Sequence, residues 1–257
     1  MAAAATHIHA VPPPWLTAPV GRAFPLTLAG GARASAVRVE REDQLSAAAS
    51  ALGLSGPALV IVGGADRMED DERDCVEPLF RDVLAPFAEQ RGAIVIDGGT
   101  DSGVMQLIGR VRGSSAFPLV GVVVAELAAE SPASKSDAAP LEPNHSHFLF
   151  VPGTQWGDES RWLARFATVV ANGRPSATML VNGGDVTLSD GEESVVVGRR
   201  VIAVAGSGGT ADALAAAARG SATDHRTRQL AASGLVDATD VAAIRSLLDE
   251  LFGGGIE

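Results

Sequence analysis

The chain has 257 residues, of which 46% are hydrophobic and 20% are charged, a balance typical of a folded protein and unlike that of a disordered acidic polymer. A formal net charge of −11 argues against a general nucleic-acid surface, because phosphate backbones are bound through excess Lys and Arg. No apolar run approaches the roughly 20 residues that span a bilayer, and the first residues lack the basic start and apolar centre of a signal peptide. We therefore expect a cytoplasmic protein with neither nucleic-acid nor membrane partners.

The chain repeats one pattern after its first 20 residues: an apolar run, a glycine turn and a segment with helical spacing. The first 20 residues, rich in Ala and Pro, are predicted to form a flexible extension, and residues 21–257 a single domain. The apolar residues are continuous rather than alternating, which is typical of strands buried on both faces of a parallel sheet. These runs cover residues 58–62, 93–97, 119–124, 148–151, 177–181 and 201–205.

Helix candidates fill the intervals between the runs, at residues 71–90, 103–113, 159–171 and 210–219. Residues 237–252 are predicted to form a closing amphipathic helix, with apolar residues at helical spacing. This alternation predicts an α/β fold with a doubly wound, mainly parallel sheet and helices on both faces. Residues 125–140 are predicted to be a long exposed loop or lid. Residues 186–198 fit either a short helix or a hairpin.

Glycine-bearing turns follow five of the six runs, and they begin at Gly63, Gly98, Pro152, Asn182 and Gly206. In a parallel sheet these turns share the carboxyl edge, where open α/β sheets bind their ligands. Glycine permits close approach, and the next helix offers unpaired N–H groups, so such turns can bind phosphate without lysine. The alternative is that the glycines only tighten strand-to-helix corners. None of the turns has the G-x-G-x-x-G or P-loop spacing.

Three separated stretches, "GGTDSGVM" from Gly98, "LEPNHSHFLFV" from Leu141 and "VIAVAGSGGTADALA" from Val201, occur in the chain in that order. Together they resemble the SLOG superfamily, and within it the prokaryotic branch named for likeness to the amino-terminal cytosolic region of melastatin-type TRP channels. The resemblance covers residues 54–251. It implies a Rossmann-like fold, binding of nucleotides or nucleotide derivatives such as ADP-ribose and other NAD-derived molecules, no required cofactor, and a homo-oligomer, either a dimer or a higher assembly.

The superfamily also includes the Lonely Guy phosphoribohydrolases, which cut the N-glycosidic bond of cytokinin nucleotides. Their motif P-G-G-x-G-T-x-x-E is matched to residues 205–213, which places Ala213 at the glutamate position and Asp212 one residue early. Alanine can neither stabilise an oxocarbenium-like centre nor activate water. The sequence therefore favours a ligand sensor without a named catalytic residue. An N-glycosidase on the same site and a partner-binding scaffold with a vestigial pocket are the alternatives.

The predicted ligand-binding residues come from the turns and from the strand entrance in the second stretch. They are Gly63, Gly64, Asp66, Gly98, Gly99, Thr100, Asp101, Ser102, Gly103, Asn144, His145, Trp156, Asn182, Gly183, Gly184, Gly206, Ser207, Gly208, Gly209 and Thr210. The aspartates near double glycines, Asp66, Asp101 and Asp185, fit helix N-caps or acceptors for ribose hydroxyls and a base amine. The resemblance favours a structural or ligand-facing role for Asn144 and His145.

Several other side chains have two interpretations each. His145 and His147 have zinc-like spacing, but no third ligand stands nearby at ligand spacing, and we expect no metal. Trp156 and Trp162 could each stack on an adenine, although an indole at helical spacing is more often a core residue, and Trp156, in a glycine turn, is the better candidate. Arg161 and Arg165 are one helical turn apart, and they could reach an anion or pair with Asp158 or Glu159.

Overall fold

A computed structural model describes residues 12–65, 68, 70–113, 115–130, 138–221 and 224–253 of the chain. Strands and helices alternate along most of it. The strands are β1 (Ala23–Thr27), β2 (Arg33–Arg38), β3 (Ala58–Gly63), β4 (Ile94–Asp97), β5 (Leu119–Val124), β6 (Ala128–Ala129), β7 (Ala139–Pro140), β8 (His147–Val151), β9 (Ser176–Val181), β10 (Arg200–Ala205) and β11 (Val236–Asp240). All six predicted apolar runs are strands.

Nine of these strands form one sheet in the order β1-β2-β8-β5-β4-β3-β9-β10-β11, and β6 pairs with β7 separately. Only the β1–β2 pair of the large sheet is antiparallel. Strand β1 therefore runs opposite to the other eight strands, which have their carboxyl ends at one edge. Along the chain, the order proceeds from β3 through β4 and β5 in one direction and from β9 through β10 in the other. The switch point of the doubly wound sheet therefore lies between β3 and β9.

Helices cover both faces of the sheet. They are α1 (Pro14–Thr17), α2 (Leu45–Ala51), α3 (Asp70–Pro78), α4 (Ala85–Arg91), α5 (Gly103–Arg112), α6 (Ser160–Ala171), α7 (Asp185–Val196), α8 (Gly209–Ala218), α9 (His225–Ala231) and α10 (Ile244–Gly253). A π-helical segment, Leu79–Leu84, joins α3 to α4. Helices α2, α6, α7, α8 and α9 share one apolar core, and α3, α4, α5 and α10 share the other.

The strand β3 shows why the buried runs could be predicted. Val60 and Val62 face the first core, whereas Leu59 and Ile61 face the second, so no position of the strand is left for a polar side chain. The predicted helices at 103–113, 159–171 and 210–219 correspond to α5, α6 and α8. The segment that fitted either a helix or a hairpin is the helix α7.

The predicted closing helix is wrong in its first part. Residues Val236–Asp240 form β11, which pairs in parallel with β10, and the helix begins only at Ile244. The strand is a half-buried edge strand with the sequence VDATD, so it lacks the apolar run that identifies the central strands. The edge strand β1 and its neighbour β2 were not predicted either, since both mix buried with exposed or half-buried positions and lack a continuous apolar run.

The predicted flexible extension does not agree with the structure from Pro12 onward, and residues 1–11 lie outside the described part of the chain. Trp15 is only 1% exposed, its ring stacks on Phe150 at a centroid distance of 5.3 Å, and its Nε1–H donates to the carbonyl of Ala125 at 3.1 Å. Residues 125–140 also depart from an exposed loop where they are described, because Ala128 and Ala129 are buried.

Replacing Trp15 with alanine should lower the free energy of unfolding by about 3–5 kcal/mol, because the change removes a fully buried aromatic side chain. Urea unfolding followed by circular dichroism measures the loss. The matched control is Trp156→Ala, since Trp156 is 37% exposed and its truncation should cost less than about 1 kcal/mol. Equal losses for the two variants would show that residues 12–17 are not part of the core.

Candidate functional site

A cavity of about 560 Å³ lies at the carboxyl edge of the sheet, beside the switch point. Its size is within the range of small-molecule sites. The walls come from the turns after β3, β4 and β8, the starts of α5, α6 and α7, and the segments beside β6 and β7. The lining residues are Val62, Gly63, Ala65, Gly98, Thr100, Ser102, Met105, Leu127, Ala138, Ala139, Thr154, Gln155, Trp156, Glu159, Leu163, Val186, Thr187 and Asp190.

Five of the predicted ligand-binding residues line this cavity: Gly63, Gly98, Thr100, Ser102 and Trp156. Four others, Gly64, Gly99, Asp101 and Gly103, belong to the same turns but do not line it. Asp66 lies outside the described residues. Trp162 is 2% exposed and packs in the core, as its spacing indicated. The turns at Asn182, Gly183 and Gly184 and at Gly206, Ser207, Gly208, Gly209 and Thr210 lie outside the lining.

The turn before α8 is bound to the neighbouring turn of the protein itself. The N–H groups of Thr210 and Ala211 donate to the carbonyls of Gly183 and Asn182, at 2.9 and 3.1 Å. The first N–H groups of a helix are the ones that would otherwise hold an anion. This turn therefore braces the turn after β9, while the start of α7, with Val186 and Thr187, faces the cavity.

Gly99 shows that a turn glycine can be required for packing rather than for ligand approach. Its φ is +69°, and a Cβ at this position would lie 2.7 Å from the Val123 side chain and 2.8 Å from the Gly121 Cα. The missing side chain therefore points toward strand β5, away from the cavity. Gly98 differs, because a Cβ there would meet only the side chain of Met105, at 3.8 Å.

Two buried carboxyl groups line the cavity, those of Glu159 and Asp190, each in a residue that is 7% exposed. Burial raises the pKa of Asp190 to about 7, and the nearby charges of Glu159 and Glu193 act in the same direction while the Ser160 hydroxyl opposes them. Burial also raises the pKa of Glu159. None of the lining residues in the described part of the chain is Arg, Lys or His. The carboxyl group of Asp190 can therefore exchange a proton near neutral pH.

Asp190 was not predicted, because the glutamate-containing motif was matched to residues 205–213. The spacing G-G-x-x-T-x-x-acid also occurs at Gly183, Gly184, Thr187 and Asp190, directly after β9. Thr187 and Asp190 line the cavity, whereas Ala213 lies on α8 outside it. The argument from Ala213 against a carboxylate at the site therefore does not apply to this cavity. The acid at the last position of this spacing, Asp190, is the sequence signal that could have identified residues 183–190 as part of the site.

Behind the turn after β4 lies a buried cluster of three charged side chains. His145 is held between two carboxylates, with Nε2 2.8 Å from Asp97 Oδ1 and Nδ1 2.8 Å from Glu142 Oε2. All three side chains are at most 1% exposed. Burial alone lowers the pKa of His145, but its charge and hydrogen-bond interactions with Asp97 and Glu142 outweigh this and raise the pKa to about 9. The imidazole is therefore protonated at neutral pH.

The cluster joins the turn after β4 to the segment that precedes β8. Asp97 Oδ1 also accepts the N–H of Gly99 at 2.7 Å, and the N–H of Glu142 donates to the Gly99 carbonyl at 3.0 Å. The Glu142 carboxylate accepts the backbone N–H of Asn144 at 2.8 Å and its side-chain amide at 2.7 Å. Asn144 and His145 are thus parts of this internal network. Asp97 and Glu142 were not predicted, since each has its partners only in the folded chain.

The other polar candidates have partners on the protein. The His147 ring lies 2.8 Å from the Ser146 hydroxyl, and burial, together with the charge of Arg112, lowers the pKa of His147. Arg161 and Arg165 both reach Glu42 rather than Asp158 or Glu159. Among the described residues, no group of three or more His, Cys, Asp or Glu could hold a metal ion. Within the same residues, no helix is both long and apolar enough to cross a bilayer.

The nine-stranded sheet and the cavity at its switch point define a Rossmann-like α/β protein with a cavity at the carboxyl edge, the place where ligands bind in open α/β sheets. The model of the family described as "SLOG in TRPM, prokaryote" matches residues 56–248, and the chain belongs to this family. No curated protein matches the sequence significantly.

Two solved structures share the fold. The X-ray structure of TM1055, a structural-genomics target, is 20% identical, with a TM-score of 0.51 over 76% of this chain and 99% of its own. The molybdenum cofactor carrier protein from Chlamydomonas reinhardtii is 16% identical, with a TM-score of 0.50 over 77% of this chain and 99% of its own. At these identities the similarity establishes the fold alone.

Asp190→Asn should flatten the pH dependence of stability and raise Tm above neutral pH. The folded protein holds a proton on Asp190 between pH 3.8 and about 7 that the unfolded chain releases, so this group lowers stability as pH rises through that window. Thermal unfolding from pH 4 to 8 measures the effect. Asp185→Asn is the control, because Asp185 is exposed on the same helix. Parallel pH profiles for wild type and Asp190→Asn would contradict the burial argument.

Proposed function

We propose that the cavity binds a nucleotide-derived ligand, such as ADP-ribose or another NAD-derived molecule. The observation that supports this most directly is the meeting of the turns at Gly63 and Gly98 with the first turn of α7 in one cavity at the switch point. Such turns expose backbone N–H groups, and a helix start adds the positive end of its dipole, so phosphate can be bound where no basic side chain lines the wall. Membership of the SLOG family supports the same class of ligand.

The cavity walls carry different chemical groups, and these groups indicate how such a ligand is oriented. The phosphate groups face the start of α7, at Val186 and Thr187, because the first N–H groups of a helix have no partner within the helix. The ribose hydroxyls donate to the acids Glu159 and Asp190. The base stacks on Trp156, whose ring is partly exposed at the cavity wall.

Gly98→Val should block this site without unfolding the protein. Gly98 has no positive φ, and its added side chain would enter the cavity beside Met105. We expect the affinity for ADP-ribose, measured by calorimetry, to fall at least about tenfold, since the valine fills space needed by the ligand. Gly253→Val is the control, because Gly253 has open space around it and lies at the end of α10, away from the cavity lining. Unchanged affinity in Gly98→Val would contradict the proposed site.

A second candidate function is hydrolysis of an N-glycosidic bond in the bound nucleotide. It is favoured by Asp190, an acid that lies in the cavity at the position of the glutamate in the G-G-x-x-T-x-x-acid spacing. In such a reaction water adds to the ribose C1′, the bond to the base breaks, and the base leaves with a proton. The carboxylate of Asp190 would stabilise the positive charge on the ribose or accept the proton from water.

Release of free base from AMP and ADP-ribose, followed by chromatography, separates the two functions. If the protein hydrolyses either compound, Asp190→Asn should reduce the rate by about 10²–10⁴, the usual effect of removing a positioned acid or base. Ala213→Glu should leave the rate unchanged. Binding without base release supports the sensor function, whereas base release that persists in Asp190→Asn contradicts the assignment of this carboxylate.

A further inference from the structure

We infer that His145 is a positioning residue for the ligand cavity. Its buried ring, when protonated, donates one N–H to Asp97 and the other to Glu142, and this pair of hydrogen bonds holds the turn at residues 98–102 in its binding shape. The inference rests on the proposed function, because it concerns the wall of the same cavity. His145 itself does not line the cavity and acts through Asp97.

One oxygen atom transmits the effect of His145 to the cavity wall. Asp97 Oδ1 lies 2.8 Å from His145 Nε2 and 2.7 Å from the N–H of Gly99 that donates to it. The residues on either side of Gly99, which are Gly98 and Thr100, both line the cavity. The orientation of the Asp97 carboxylate therefore determines how these two residues face a ligand.

The backbone around Glu142, whose carboxylate is the other partner of His145, connects the same turn to another part of the wall. The N–H of Glu142 donates to the Gly99 carbonyl at 3.0 Å, and the N–H of Asp101 donates to the carbonyl of Pro140 at 2.8 Å. A β-bridge joins Thr100 to Leu141. The strand β7, which precedes these contacts, contributes Ala139 to the cavity lining. His145 thus ties together two segments that form separate parts of the wall.

The proton is required because a neutral imidazole has only one N–H group. It could then donate to Asp97 or to Glu142 but not to both, and the second carboxylate would face a lone pair of the ring inside the core. The other charged or titratable groups around the cluster are Arg112 from α5, which acts electrostatically on Glu142, and His147 from β8. Asp101, in the turn itself, accepts from Gln106. Loss of the proton should therefore release the turn.

Few side chains besides His145 titrate in the alkaline range. One of them is Arg199, because burial lowers its pKa to about 10, and it donates to Ala164 and Thr168 of α6 rather than to this cluster. Burial lowers and the two carboxylates raise the pKa of His145, with a net value of about 9. The sequence contains no Tyr, one Cys and one Lys. In a Cys75→Ser background, few side chains other than His145 change charge between pH 8 and 10, where model Lys and Tyr side chains also titrate.

The affinity for ADP-ribose, measured by calorimetry from pH 7 to 10.5 in the Cys75→Ser background, tests the inference. We expect a constant affinity up to about pH 9 and a loss of about tenfold per pH unit above it, as for binding that requires one proton. His147→Gln, the matched histidine control, should retain this profile. His145→Gln should bind at least about tenfold more weakly at pH 7 and show no decline near pH 9. Wild-type affinity and profile in His145→Gln would overturn the inference.

A nuclear magnetic resonance titration gives a readout that needs no ligand. Among the five histidines, one ring should titrate near pH 9, its signals should be absent in His145→Gln, and the Gly99 amide shift should follow the same midpoint. If ADP-ribose binds to no variant, the proposed function fails while this titration still decides the coupling of His145 to the turn. A His145 midpoint near 6.5, or a Gly99 amide that does not respond, would overturn the inference.

Discussion

The reversal of strand order between β3 and β9 is the constraint on which the site depends. The chain leaves β3 for helices on one face of the sheet and leaves β9 for α7 on the other face, so the two exits diverge. A crevice opens where they separate, and the backbone ends around it have no neighbouring strand to bind. The turns at Gly63 and Gly98 and the start of α7 meet there for this topological reason, whatever ligand occupies the cavity.

Two buried aspartates, Asp97 and Asp190, have neighbours of opposite charge, and these neighbours give the two residues different roles. Asp97 faces the protonated ring of His145 and accepts the N–H of Gly99. Asp190 has acidic neighbours in place of a cation, and burial raises its pKa to about 7. The first environment joins the turn after β4 to the segment before β8, whereas the second leaves a carboxyl group able to exchange a proton near neutral pH. The neighbouring groups, rather than the type of side chain, thus decide whether a buried aspartate has a structural or a chemical role.

The glycine turns divide in a similar way between ligand approach and internal packing. Gly98 leaves open space at the cavity, but Gly99 is required because β5 approaches its Cα closely. The turn before α8 uses the N–H groups of Thr210 and Ala211 to support the turn after β9. All five turns lie at the carboxyl edge as predicted, yet their glycines have different structural roles. A motif written as glycine spacing cannot distinguish these uses, because each depends on what lies across from the missing side chain.

The sequence by itself determined the six central strands, most helices and the edge of the sheet that carries the site, because a strand buried on both faces needs a continuous apolar run. It did not determine β11, whose sequence VDATD is defined as a strand only by pairing with β10. Nor did it reveal the cluster at His145, since Asp97 stands 48 residues away along the chain. Only the tertiary structure decided that Asp190 lines the cavity while the turn at Gly206 does not. Strand burial is a local property of the chain, whereas the pairing of charges and the lining of a cavity arise from contacts between distant segments.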